Sequence, residues 1–146
     1  MRKVQDQVAG WPDARAAVIG SSLGGFYATA LAERHGWRAV LLNPAVDPAR
    51  DLVKYIGQTT AWHDDERLFF RPEFIDELRR IAPGALTRTA RYLAVIAKGD
   101  EVLDWVEMST RYAGCRVELL EGGDHALSDY EAAVLPVVAG FLGWVA

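Results

Sequence analysis

Four short apolar runs, each bounded by turn or charged residues, dictate most of what this 146-residue chain can fold into. They are Ala16 to Gly20, Arg38 to Asn43, Tyr92 to Ala97 and Arg116 to Leu120. The first three suit strands buried on both faces, and the fourth alternates less cleanly but is rich in strand formers. Helical patterns fall between them. Gly24 to Arg34 carries Phe26, Ala30 and Leu31 on one face, with Gly36 placed as a C-cap. Val102 to Tyr112 reads as a second helix. A last one opens with Ser128 and Glu131 at capping-box spacing and continues through Val134, Val138, Phe141 and Leu142, with Pro136 expected to kink or divide it. Strands alternating with helices specify an α/β fold, here a four-stranded, mostly parallel sheet flanked by helices. The right-handed crossover rule leaves only a few doubly wound topologies.

The length suits a single domain over residues 1–146. Residues 44–91 depart from the regular alternation and read as an insertion, with one helix at Pro72 to Ile81. Insertions at the carboxyl end of a sheet are where lids and pockets are built. With 51% apolar and 25% charged residues the chain is an ordinary globular sequence. A net charge of −4 argues against nucleic-acid or anionic-membrane binding, which needs clustered Lys and Arg. Arg79 and Arg80 stand beside Asp76 and Glu77 and read as a solvated helix face. The one cysteine, Cys115, cannot form an internal disulfide or a Cys-based zinc site and reads as a small buried residue. No apolar run follows the charged N-terminus and none is long enough to span a bilayer, so a cytoplasmic protein is expected.

The chemistry concentrates at Gly20-Ser21-Ser22-Leu23-Gly24, which fits G-x-S-x-G. Chance supplies such a match in roughly 5% of chains this long, so its context must carry the argument. It follows an apolar run and opens a helical pattern, the context of a nucleophile elbow. There the turn lifts Ser22 above the sheet and aims the Leu23 N–H at a reacting carbonyl as an oxyanion donor. Small neighbours let strand and helix approach, a need met by Gly20, Gly24 and Gly25. The competing reading is a glycine-rich phosphate cradle at a helix N-terminus, but G-x-G-x-x-G is absent.

A serine hydroxyl needs an adjacent base. His125 follows the last strand in Glu121-Gly122-Gly123-Asp124-His125, at the same end of a parallel sheet as Ser22. His35 lies in the last turn of the first helix, where the helix dipole is its natural partner. His63 sits in a polar stretch of the insertion. The base should be oriented by a carboxylate after an earlier strand. Asp100 is preferred, following Tyr92 to Ala97 through Lys98-Gly99. Glu101 and Asp104 compete, although Asp104 is better placed as a helix cap. Asp124 is too near His125 in sequence to reach its far ring nitrogen.

The stretch Gly20 to Thr29 resembles the elbow of the YqiA-type esterases, small bacterial α/β hydrolases. Leu42-Asn43-Pro44-Ala45-Val46 is similar to the strand end that follows it there. Lys98 to Asp104 resembles the acid-bearing segment, and Glu121 to His125 the histidine-bearing one. The resemblance implies an α/β-hydrolase fold and hydrolysis of a small-molecule carboxylic ester or thioester without metal or cofactor. It implies Ser22 as nucleophile, Asp100 as acid and His125 as base. That family begins with a strand ending in a His-Gly-Phe-type loop, which donates a second oxyanion N–H, and no such segment precedes the elbow strand here. The expectation is an N-terminally incomplete fold whose open sheet edge favours self-association. The rival expectation is a catalytically impaired module kept for binding or assembly.

Overall fold

The computed structural model describes residues 2–11, 16–57, 59–61, 67–69 and 71–144. In chain order the elements are α1 (Arg2–Val8), β1 (Ala17–Ser21), α2 (Leu23–His35), β2 (Arg38–Leu42), α3 (Pro48–Leu52), β3 (Thr59–Ala61), β4 (Arg67–Phe69), α4 (Pro72–Ile81), β5 (Tyr92–Ala97), α5 (Trp105–Arg111), β6 (Arg116–Leu120) and α6 (Leu135–Leu142). Strands β1, β2, β5 and β6 form one sheet in that order, and all three pairings are parallel. The expected four-stranded α/β sheet is therefore present. Strands β3 and β4 form a separate antiparallel pair within the segment joining β2 to β5.

Alternation along the central strands sorts the core into two layers. Ala39 and Leu41 of β2 join Tyr92, Ala94 and Ile96 of β5 on one face, beneath Ala28, Ala32, Met108 and Tyr112 of α2 and the α5 region. Val40, Leu42, Leu93, Val95 and Ala97 point the other way, against Val134, Val138 and Leu142. Both central strands are thus covered on both faces, which is why they read as continuous apolar runs. A third cluster packs Phe26 of α2 against Ala45, Ala49, Ile75 and Leu78, tying α3 and α4 to the start of α2. Strand β1 differs. Among the described residues it pairs only with β2, and Ile19 is 44% exposed.

Several ends depart from the sequence reading. Helix α5 begins at Trp105 rather than Val102, because Asp104 caps it by accepting from the Val106 N–H at 2.8 Å. No capping box forms at Ser128 and Glu131. The Ser128 N–H and hydroxyl both donate to the Asp124 carboxylate instead, at 2.9 and 2.6 Å. A π-helical turn, Tyr130–Val134, comes next, and α6 then starts with Pro136 in its first turn. Pro136 thus divides this segment, in a position where its missing N–H costs little. Gly36 caps α2 as expected, with φ 79° and its N–H on Ala32 O. Cys115 is half-buried and packs against the first core layer.

Glu33 clamps α2 to the segment before β5, accepting from the Thr87 hydroxyl and N–H and from the Tyr92 hydroxyl. Burial opposes ionisation of Glu33, but these hydrogen bonds outweigh it and hold its pKa below the usual carboxylate value. A lowered folded-state pKa contributes stability above the unfolded value, lost as pH falls through that value and the folded one. Glu33→Gln is accordingly expected to cost about 0.5–1 kcal/mol at pH 7, because the carboxylate is largely exposed and solvent screens its bonds. The difference from wild type should shrink towards pH 3. Urea unfolding across that pH range measures it, and a difference independent of pH would contradict the clamp.

Candidate active site

All four strands of the main sheet run parallel, so their C-terminal ends meet at one edge, where α/β proteins build their sites. Ser22 directly follows β1, and Asn43 directly follows β2. Asp100 lies in the loop after β5, and His125 in the loop after β6.

Ser22 stands between strand and helix with φ 54° and ψ −124°. A non-glycine residue with positive φ costs on the order of 1–3 kcal/mol and persists only where its surroundings insist on it. Here they do. The Ser22 N–H donates to Leu42 O at 2.9 Å, and its carbonyl accepts from Gly25 N at 2.9 Å and Ala45 N at 3.0 Å. Strand and helix approach so closely that a Cβ on Gly20 would lie 2.1 Å from Gly24 O, and one on Gly25 would lie 2.6 Å from the Pro44 Cβ. Gly24 itself is different, since a Cβ there would meet nothing within 4 Å. The expected need for smallness therefore holds at Gly20 and Gly25 and not at Gly24. Gly20→Ala is expected to destabilise the fold by on the order of 1–3 kcal/mol, while Gly24→Ala leaves the melting temperature near that of wild type. Equal melting temperatures for the two variants would refute the packing argument.

The sequence-predicted residues come together. His125 Nε2 is 2.9 Å from Ser22 Oγ, and His125 Nδ1 is 2.8 Å from Asp100 Oδ2. The Asp100 side chain is fully buried, and that of His125 is 21% exposed. Asp100 is aimed from behind by its own loop, because Oδ1 accepts from the Val102 and Leu103 N–H groups, both at 2.8 Å. This bonding also explains why Val102 and Leu103 stay out of α5. With Nδ1–H donating to Asp100, Nε2 is left to accept the Ser22 proton. Leu23 opens α2, so its N–H is among the first-turn donors that lack an intrahelical acceptor.

The competitors are placed elsewhere. Asp104 caps α5, and Glu101 accepts from the His125 main-chain N–H at 3.0 Å rather than from its ring. His35 ends α2 with its ring stacked on Trp37 at 4.4 Å. His63 lies outside the described residues. A cleft of about 700 Å³ lined by Val46, Arg50, Asp104, Val106, Glu107, Thr110 and Arg111 opens between the α3 region and α5, and its lining includes none of Ser22, Asp100 and His125.

The sequence profile described as Uncharacterised protein family (UPF0227) matches residues 1–142. The chain belongs to that family. UPF0227 is the YqiA-like esterase family that the four sequence landmarks resemble. Among solved structures, the esterase domain of a Rhodothermus marinus protein is similar over 98% of this chain and 65% of its own, with 20% identity and a TM-score of 0.67. Mouse alpha/beta hydrolase domain-containing protein 10 is similar over 99% of this chain and 68% of its own, at 14% identity and a TM-score of 0.72. An esterase of Pyrococcus furiosus aligns with 97% of this chain and 59% of its own, at 15% identity and a TM-score of 0.56. At such identities the likeness establishes the α/β-hydrolase fold and not the substrate. The chain spans between 59% and 68% of the length of these structures.

Sequence reasoning gave no role to Asn43, which the fold buries completely at this edge. One signal was available: a polar residue closing an apolar run, of a type that tolerates positive φ.

Proposed function

We propose that this protein is a serine hydrolase that cleaves carboxylic esters or thioesters through an acyl-enzyme. The observation that carries the reading is the unbroken chain Ser22 Oγ, His125 Nε2, His125 Nδ1, Asp100 Oδ2, with links of 2.9 and 2.8 Å, starting from a serine of positive φ. Ser22 Oγ attacks the substrate carbonyl carbon while His125 Nε2 takes the hydroxyl proton. The oxyanion of the tetrahedral intermediate is met by the Leu23 N–H. Collapse breaks the bond to the leaving alkoxide or thiolate, which takes the proton from His125. A water then attacks the acyl-enzyme with His125 again accepting a proton, and the carboxylic acid departs as Ser22 is reprotonated. Throughout, Asp100 holds the imidazole tautomer and stabilises its cation.

A fluorophosphonate probe tests this directly, because it phosphonylates only a serine activated by its surroundings. Intact-mass analysis should find one adduct, and peptide mapping should place it on Ser22. A protein that stays unlabelled at millimolar probe would sink the proposal and favour a hydrolase-fold module kept for binding. Among the described residues no helix is long and apolar enough to cross a membrane. A small-molecule ester or thioester is the substrate class this reading calls for.

A further inference from the structure

Three non-glycine residues among those described have positive φ: Ser22, Asn43 and Leu127, at 54°, 41° and 54°. Strain of this kind gathers at functional sites. All three lie at the C-terminal edge of the sheet, Ser22 in the elbow, Leu127 two residues beyond His125, and Asn43 between them at the end of β2.

Asn43 is fully buried, and its side-chain amide makes three of its four possible hydrogen bonds, using both donors and one oxygen lone pair. Nδ2 donates to the carbonyls of Asp124 at 3.0 Å and His125 at 3.1 Å, while Oδ1 accepts from the Ala97 N–H at 2.8 Å. Its main-chain N–H donates to Val95 O at 2.9 Å. The partners settle the amide's orientation, since the flipped form would face two carbonyls with an oxygen. One side chain therefore joins the ends of β2 and β5 to the backbone of the loop that carries His125. From the other side that backbone is held by Glu101, through the His125 N–H, and a Cβ on Gly99 would lie 2.2 Å from Gly123 O.

We infer that Asn43 is a positioning residue that sets the reach of the His125 imidazole to Ser22 by gripping the Asp124 and His125 carbonyls. The inference rests on the acyl-transfer reading above. Asn43 touches no reacting atom, and its effect should run wholly through His125. A misplacement of about 1 Å in such a site is worth on the order of 10²-fold in rate. Asn43→Gly removes the amide while keeping a residue at ease with φ 41°.

The test is a double-mutant cycle on fluorophosphonate labelling rate, with melting temperatures recorded for every variant. Wild type, Asn43→Gly, His125→Ala and the double variant are compared. Asn43→Gly should slow labelling on the order of 10²-fold where His125 is present, and add no further loss in the His125→Ala background. Labelling at the wild-type rate would overturn the inference. So would equal slowing in both backgrounds, because a merely structural role does not depend on His125. If Asn43→Gly fails to fold, Asn43→Asp takes its place in the cycle, being isosteric and retaining the acceptor for Ala97 N–H. Unfolding of both variants would assign Asn43 to the stability of the fold and reject the positioning role. An unlabelled wild type would reject the acyl-transfer reading itself, an outcome distinct from all of these.

Discussion

Ser22→Ala should lower kcat for an activated aryl ester by about 10⁶-fold, the scale seen when a hydrolase loses its nucleophile, while Ser21→Ala retains a readily measured rate. The two serines are neighbours, but the backbone separates their roles. Ser21 is the last residue of β1, in register with Leu42, and it is exposed. Ser22 alone has left the strand, with φ 54°, and its hydroxyl is the one 2.9 Å from His125 Nε2. The alanine at 22 removes one oxygen from a half-buried site and opens no core cavity, so the melting temperature should move little. Steady-state rates for the two variants decide the matter. A dead Ser21 variant beside an active Ser22 variant would shift the motif register by one residue and remove the basis for the mechanism.

The parts of this architecture that could be read from the sequence are those where burial on both faces forces a continuous apolar run. Tyr92–Ala97 is legible to the residue because neither face of this central strand can hold a polar group. Arg116–Leu120, an edge strand with Arg116 and Leu119 exposed, is legible from its strand-forming residues instead. Parallel pairing then puts every strand's C-terminal end on one side. A serine, a carboxylate and a histidine that each follow a different strand must therefore be neighbours, however far apart in sequence. The illegible parts are those decided by side chains reaching backbone. Val102 and Leu103 have helical spacing with the residues after them, yet the Asp100 carboxylate claims their N–H groups and delays the helix to Trp105. Ser128 has the right spacing to Glu131 for a capping box, but Asp124, four residues earlier, captures it first. The Thr59–Ala61 and Arg67–Phe69 pair was missed because three-residue strands are too short to show a period. Asn43 escaped notice for a related reason. Its value lies in three partners at positions 97, 124 and 125, which no local pattern can reveal.

The choice among Asp100, Glu101 and Asp104 shows how far residue type alone can mislead and what geometry adds. All three are carboxylates within five positions, and all three accept hydrogen bonds from backbone N–H groups. Only Asp100 directs its second oxygen at an imidazole, and only its side chain is fully withdrawn from water by the site. Asp100→Asn is therefore expected to reduce kcat by up to about 10⁴-fold. The new amide can turn its NH2 towards Nδ1, which then accepts, and the tautomer with the proton on Nε2 cannot take another from Ser22. Asp104→Asn should instead leave kcat within a few-fold of wild type, since asparagine caps a helix about as well as aspartate. Glu101→Gln keeps an acceptor for the His125 N–H and belongs with Asp104→Asn. The expected order of kcat is wild type close to both of these variants, with Asp100→Asn far below, and KM changing little throughout. A large loss at Asp104 with near-normal turnover at Asp100 would transfer the orienting role and require His125 to turn away from its present partner.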